Sequence, residues 1–508
     1  MKDTKQRIII VGGGTAGWIT ASALAHQFQH QNITITLIES SDIPTIGVGE
    51  AVIPPFLTFI RNLGINEQEF ISNVSGTFKL GIEFPDWSRK GDSYFHHFGA
   101  LGRKLDGYDF YSCWLKTQRE GASSALMDFS PSAVMAKHNK FYLPSQLPEQ
   151  SPLREANYAL HFDASLVAIE LRKYAQNKGV ELIDAKVNSV NLTPSNTVSS
   201  LDLSIGTTVK GDFFIDCSGF KGLLINEALG SEYESWEQYL PCNRAVAMQT
   251  ECVGNTPAFT LASAQDAGWT WRIPLQHRTG NGYVYSDKFI SDDQAIETLK
   301  KTAKGKALQE PRILPFVTGM RPEFWKKNCL SLGLASGFLE PLESTAIHLV
   351  TRGVQFFLEL FPNQHIDESG LETLAQEYNR RMAADYVEIR DFLVLHYCVS
   401  QRTDTKFWQH CREMPIPDTL TQRIALFQER GYLQPSNDEL FKAASWQAVF
   451  DGMGIKPKHY HPAVDSLDGT QLRLALEAGR QHLQQSIAEL PSHDEFLARF
   501  CPANLGSF

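Results

Sequence analysis

Ile8-Ile9-Ile10-Val11-Gly12-Gly13-Gly14-Thr15-Ala16-Gly17-Trp18 is the most informative stretch of the chain. Four consecutive β-branched residues read as a buried strand, and the small-residue turn leads into the helix formers Ala21 to Gln29. A second β-branched run, Ile33 to Ile38, ends in Glu39, so the segment reads as a βαβ unit. Gly12, Gly14 and Gly17 fit G-x-G-x-x-G in the strand-to-helix context that the motif needs. Glycine there permits a tight turn and lets a pyrophosphate approach the helix N-terminus, where free amides and the dipole favour anions. Gly12, Gly14, Thr15, Ala16 and Gly17 are therefore candidate contacts to a dinucleotide, with Glu39 placed to accept from a ribose hydroxyl.

FAD and NAD share this fingerprint, so the choice rests on segments farther along. Lys210 to Gly219 reads as a turn, a strand and a loop holding Asp216, and Cys329 to Gly333 is another strand feeding a small-residue turn. Three separated contacts suit an extended FAD. Strand patterns from 181 to 216 include a run beginning at Val187. From about 340 the period becomes helical: Leu371, Leu374, Tyr378, Met382, Tyr386, Ile389 and Phe392 predict one helix over about 370–398, with further helices over 418–430 and 471–490. The expected class is α/β: a Rossmann-like, flavin monooxygenase-type FAD-binding βαβ module with an inserted substrate-side β-sheet, and a mainly helical C-terminal part. The division expected is 1–355 for the FAD module with its interleaved sheet and 356–508 for the helical region.

Composition narrows the function. With 57 Asp+Glu against 47 Lys+Arg and no basic block, a phosphate backbone or an anionic membrane is not the expected partner, and a small molecule is. The 8 Cys are scattered without a C-x-x-C pair, and His459-x-His461 has no third ligand beside it, so neither disulfides nor a metal is expected. The N-terminal apolar run of four residues is too short for a secretory core, and no stretch approaches a membrane span, which makes the cytoplasm the expected location.

Five motifs, the glycine turn among them, carry a resemblance. Gly12 to Trp18, Ile46-Gly47-Val48-Gly49-Glu50-Ala51, Lys79, Gly268-Trp269-Thr270-Trp271-Arg272-Ile273-Pro274 and Glu340-Pro341-Leu342-Glu343-Ser344-Thr345 occur in the order found in the flavin-dependent tryptophan halogenases. The sequence resembles that family over residues 8 to about 350. Trp269-x-Trp271-x-Ile273-Pro274 is its most specific piece and, in that family, distinguishes halogenases from related flavin monooxygenases by keeping the organic substrate from the flavin.

The resemblance implies a catalytic Lys79 that meets hypohalous acid, and a Glu343 that positions the halogenating agent. It implies FAD contacts at Gly47, Val48, Gly49, Glu50 and Ala51, completed by Val187, Asp216, Gly333 and Ile347. Chloride or bromide would lie on the amides of Thr345 and Ala346; tryptophan-specific members have Gly at the latter position. His96 and Phe98 match the pair that sandwiches the indole. The implied reaction uses FADH2 from a separate flavin reductase, O2 and halide, with a homodimer as one admissible assembly. Read from the residues alone, Lys79 also fits a surface lysine, the Trp pair fits core packing, and Glu343 fits a helix-entry carboxylate. The paired-Tyr, Glu and Trp clamp for free tryptophan has no match in 446–462, so an indole or a larger aromatic is as good an expectation. An aromatic hydroxylase on the same fold is the alternative activity.

Overall fold

The structure, a computed structural model, describes residues 5–43, 49–362, 366–435 and 438–504. Gly47 and Val48 lie outside the described residues.

Gln6–Val11 is an interior strand of a six-stranded sheet, in the order Trp325–Lys326, Cys329–Ser331, Phe213–Asp216, Gln6–Val11, Ile33–Glu39 and Glu181–Asp184. The pairings are parallel apart from the Trp325–Lys326 edge, with Ile8 opposite Phe213 on one side and Ile35 on the other. A parallel sheet is covered on both faces, which explains an unbroken apolar run in place of alternation: Ile8 and Ile10 are fully buried. The helix Thr15–Phe28 packs on one face against Ala164–Asn177 and Ala346–Glu359. At the C-terminal ends of the strands three turns converge, since Gly12 N–H donates to Ile38 O, Cys217 N–H to Val11 O and Leu332 N–H to Asp216 O. The three segments separated in sequence thus meet at one crevice, where ligands bind in open parallel sheets.

The substrate-side sheet has seven strands, in the order Arg312–Pro315, Arg244–Thr250, Thr279–Tyr285, Gly268–Pro274, Thr260–Gln265, Gly81–Pro85 and Ser93–His97. Beside it a small antiparallel sheet sets Ala159–Asp163 between Gly49–Ala51 and Thr77–Lys79. The long helix runs Glu368–Cys398, and the helices expected at 418–430 and 471–490 appear as Asp418–Arg430 and Gly469–Ala488. Position 355 falls inside the helix Ala346–Glu359. The C-terminal region also folds back onto the first: His493 Nε2 accepts from Phe78 N–H, and Asn504 N–H donates to Ser72 O.

Candidate active site

The glycine crevice is shaped for an elongated anionic ligand. Gly12 has φ +115°, and a Cβ there would stand 2.2 Å from Cys217 O, so the turn admits only glycine. At Gly14 a Cβ would meet nothing within 4 Å. The helix that starts at Thr15 has no side-chain cap and no acidic residue in its first turn, leaving the amides around Thr15 and Ala16 available to an anion. Gly333, at φ +65°, brings the third segment against Ala16, 2.8 Å from a Cβ built on the glycine. These features fit the FAD that the sequence implies.

Two expected polar contacts are already engaged within the chain. Glu39 Oε1 pairs with Arg172 at 2.9 Å and Oε2 accepts from Trp18 Nε1 at 3.3 Å. Asp216 is fully buried and accepts from Ser218 N–H, Ser218 O–H, Leu224 N–H and Ile225 N–H, which ties down the turn after its strand. Val187 begins the strand Val187–Leu192 and packs against the buried cluster that includes Ile9 and Ala185, while Ile347 is buried in the first turn of its helix. Glu50 and Ala51 lie on the strand opposite Phe162 and His161, and burial pushes the Glu50 carboxyl up to about 7, with Asp163 adding to the shift.

Lys79, the last residue of its strand, is fully buried. Its Nζ donates to Val52 O at 3.2 Å and to Ser344 Oγ at 2.9 Å, and stands 5.3 Å from the centre of the Phe98 ring. Desolvation brings its pKa down to about 7 although Glu343 opposes the shift. A buried amine with that value has a substantial neutral fraction at neutral pH. The strand is braced from the tryptophan strand, because Thr77 O–H donates to Pro274 O at 2.7 Å.

The Glu340–Thr345 loop is anchored at three points. Glu340 Oε2 accepts from Trp269 Nε1 at 3.1 Å and from Tyr397 O–H at 2.7 Å. Glu343, at φ +64°, stands outside the helix, which starts only at Ala346. Its Oε2 is 2.6 Å from His96 Nδ1, and its Oε1 is 3.1 Å from His396 Nε2, close enough for an ion pair but outside hydrogen-bond alignment. Burial pushes Glu343 up, but the two histidines outweigh burial and hold it at about 2. Ser344, also at positive φ, receives Lys79. Two successive non-glycine residues in the left-handed region store strain, which the anchors sustain. Thr345 and Ala346 then present the first amides of Ala346–Glu359 at the positive end of its dipole.

Trp269 and Trp271 project from one face of Gly268–Pro274, with ring centres 6.2 Å apart. Trp271 lies over Gly282, its cross-strand partner, where a Cβ would come within 2.0 Å of the indole. Ile273 is buried with them. Beyond Lys79, a cavity of about 1090 Å³ is lined by His96, His97, Phe98, Ile53, Tyr158 and Phe441, among others. Phe441 stacks on Phe392 at 3.8 Å and faces His96 at 6.0 Å, and Glu388 fixes it by accepting the amides of Leu440 and Phe441. His461 caps the turn Pro462–Ser466, and among the described residues no group of three or more His, Cys, Asp or Glu is arranged to hold a metal. No helix among them is long and apolar enough to cross a membrane.

Sequence reasoning selected Lys79, Glu343, His96, Phe98 and the Trp pair, which the fold gathers around one loop. It missed Ser344, Glu340, His396, Tyr397 and Phe441. Ser344 and Glu340 stood inside a quoted motif, whereas His396 and Tyr397 showed only as polar tips on a helix end buried from Ile389 to Tyr397.

The sequence profile described as tryptophan halogenase matches residues 7–469. The tryptophan 6-halogenase SttH of Streptomyces toxytricini is 32% identical, over 97% of this chain and 98% of its own. The tryptophan 7-halogenase RebH of Lentzea aerocolonigenes is 31% identical, over 97% and 98%. Among solved structures, the flavin-dependent halogenase BrvH from Brevundimonas sp. BAL3 superposes with a TM-score of 0.93 at 43% identity, covering 98% of this chain and 99% of that one.

Proposed function

The chain belongs to the tryptophan halogenase family, a family of flavin-dependent enzymes that halogenate aromatic substrates, and from that premise we propose its reaction: FADH2, O2 and chloride or bromide are used to halogenate an electron-rich, indole-type ring through hypohalous acid and Lys79. The observation that carries the reading is the place of Lys79. Its ammonium is buried, bonded to the serine that precedes the Thr345-Ala346 helix start on one side, and set over Phe98 at the cavity wall on the other.

Bound at the glycine crevice, FADH2 would supply the two electrons that bring O2 to the peroxide level, the oxidant that turns halide into hypohalous acid. The amides of Thr345 and Ala346 hold the halide at the helix dipole. Trp269, Trp271, Ile273 and Pro274 wall the crevice from the cavity, so the substrate does not reach the redox site. Lys79 receives the electrophilic halogen in a water-poor setting, and Glu343 fixes the charge pattern around it. His96 and Phe98 clamp the ring, so that orientation selects the carbon that reacts. A separate flavin reductase delivers the FADH2.

The test is indole incubated with the protein, a flavin reductase, NADH, O2 and bromide, read by mass spectrometry. A bromine isotope doublet on the product is the expected result, with no substrate consumed when halide is omitted. Oxygenated product in the absence of halide would replace the reading with an aromatic hydroxylase.

A further inference from the structure

We propose that His96 is the base that takes the ring proton in the halogenation, with Glu343 and His396 holding it in the tautomer this requires. The proposal rests on the reading that the chain halogenates an aromatic ring. Once the carbon–halogen bond forms, the same carbon still carries hydrogen. Its C–H bond must break, the electron pair returns to the ring, and the proton needs an acceptor beside that carbon.

Four groups near the ring are candidates for this role. Lys79 is the halogen donor, and its Nζ is already turned to Val52 O and Ser344 Oγ. Glu343 is buried, with one oxygen on His96 Nδ1 and the other against His396 Nε2, and it is not among the residues that line the cavity. His96 does line the cavity, and its Nε2 has no hydrogen-bond partner among the described residues, although the side chain is 2% exposed. A buried imidazole nitrogen without a partner, in the wall beside the substrate ring, is a proton acceptor in waiting.

The elements around it fix its tautomer. With Nδ1–H donated to Glu343 at 2.6 Å, the lone pair falls on Nε2. The proton removed from carbon goes to Nε2, and the imidazolium formed is paired with the Glu343 carboxylate. It returns to neutral by releasing the proton to water in the cavity. Behind Glu343, His396 sits at 3.1 Å and has its Nδ1 2.5 Å from the Tyr94 hydroxyl, a second layer that fixes the carboxylate. His97 also faces the cavity, but among the described residues its Nε2 has no partner and its Nδ1 lies against Phe98 O with no carboxylate behind it, and burial together with the neighbouring His96 holds it at about 3.

The test compares wild type with His96→Phe, which keeps an aromatic ring in the wall, using ordinary and ring-perdeuterated indole with bromide. In wild type, bromoindole forms at the same rate from both. In His96→Phe, kcat falls by about 10²–10⁴-fold and the deuterated ring reacts more slowly than the ordinary one, because C–H cleavage has become limiting. A slowed variant with no isotope effect, or an unslowed one, overturns the proposal and leaves His96 a wall residue. Bound-FAD fluorescence and Tm establish folding, and if His96→Phe does not fold, His96→Gln is read by the same criterion. Wild type that makes no bromoindole would instead refute the halogenase reading.

Discussion

Lys79 Nζ donates to Ser344 Oγ at 2.9 Å across 265 positions of sequence, joining the end of the small antiparallel sheet to the loop that opens the Ala346 helix. Burial at this junction lowers the amine from 10.5 to about 7. The unfolded chain therefore binds more protons than the folded one between those values, and stability rises with pH through that window. At pH 7 the strain is on the order of a few kcal/mol. Lys79→Met is expected to raise Tm relative to wild type more at pH 7 than at pH 9.5, measured by scanning calorimetry. An equal difference at both pH values would contradict the buried amine.

The same shift bears on the reaction. If the neutral amine captures the halogen, the rate of bromoindole formation at saturating substrate rises as pH passes about 7 and levels above it. A rate profile taken from pH 5.5 to 8.5 checks this, and a falling profile would assign the ammonium.

Gly12 and Gly14 separate folding from binding. Gly12→Ala puts a Cβ 2.2 Å from Cys217 O at φ +115° and is expected to lower Tm, at a cost of about 1–3 kcal/mol or more. At Gly14 a side chain enters open space, so Gly14→Val is expected to keep Tm and weaken FAD binding by about tenfold or more. Calorimetry and flavin fluorescence titration give the two readings.

Glu340 ties Trp269 to Tyr397, yet burial pushes its carboxyl from 4.5 up to about 7 against those two hydrogen bonds. The folded state then holds a proton that the unfolded state has lost between those values, so this group's stabilisation is lost as pH rises from 4.5 through 7. Glu340→Gln should flatten that slope, giving a smaller drop in Tm between pH 5 and pH 8 than wild type shows.

The glycine turn, its strands and the long helix were legible because each follows a local rule: period, β-branching and the φ demanded at Gly12. The site was legible in part. Lys79, Glu343 and the Trp pair came through a resemblance, since on spacing alone a lysine among apolar residues also reads as a surface group and two indoles as core. His396, Tyr397 and Phe441 left no such signal. His396 and Tyr397 sit where the long helix is buried on every side and its period fades, and Phe441 is held beside His96 by a loop whose amides Glu388 accepts. Likewise, no sequence rule foretold that Glu39 and Asp216 would have their carboxylates engaged by Arg172, Trp18 and the turn after residue 216.

In the proposed reaction one buried amine carries halogen from the flavin crevice to the aromatic cavity. The most direct measurement is mass spectrometry of indole incubated with Lys79→Ala, flavin reductase, NADH, O2 and bromide, after FAD binding has been matched to wild type. A bromine isotope doublet is expected from wild type and none from the variant, with NADH consumption continuing in both. Bromoindole from Lys79→Ala at the wild-type rate would contradict it.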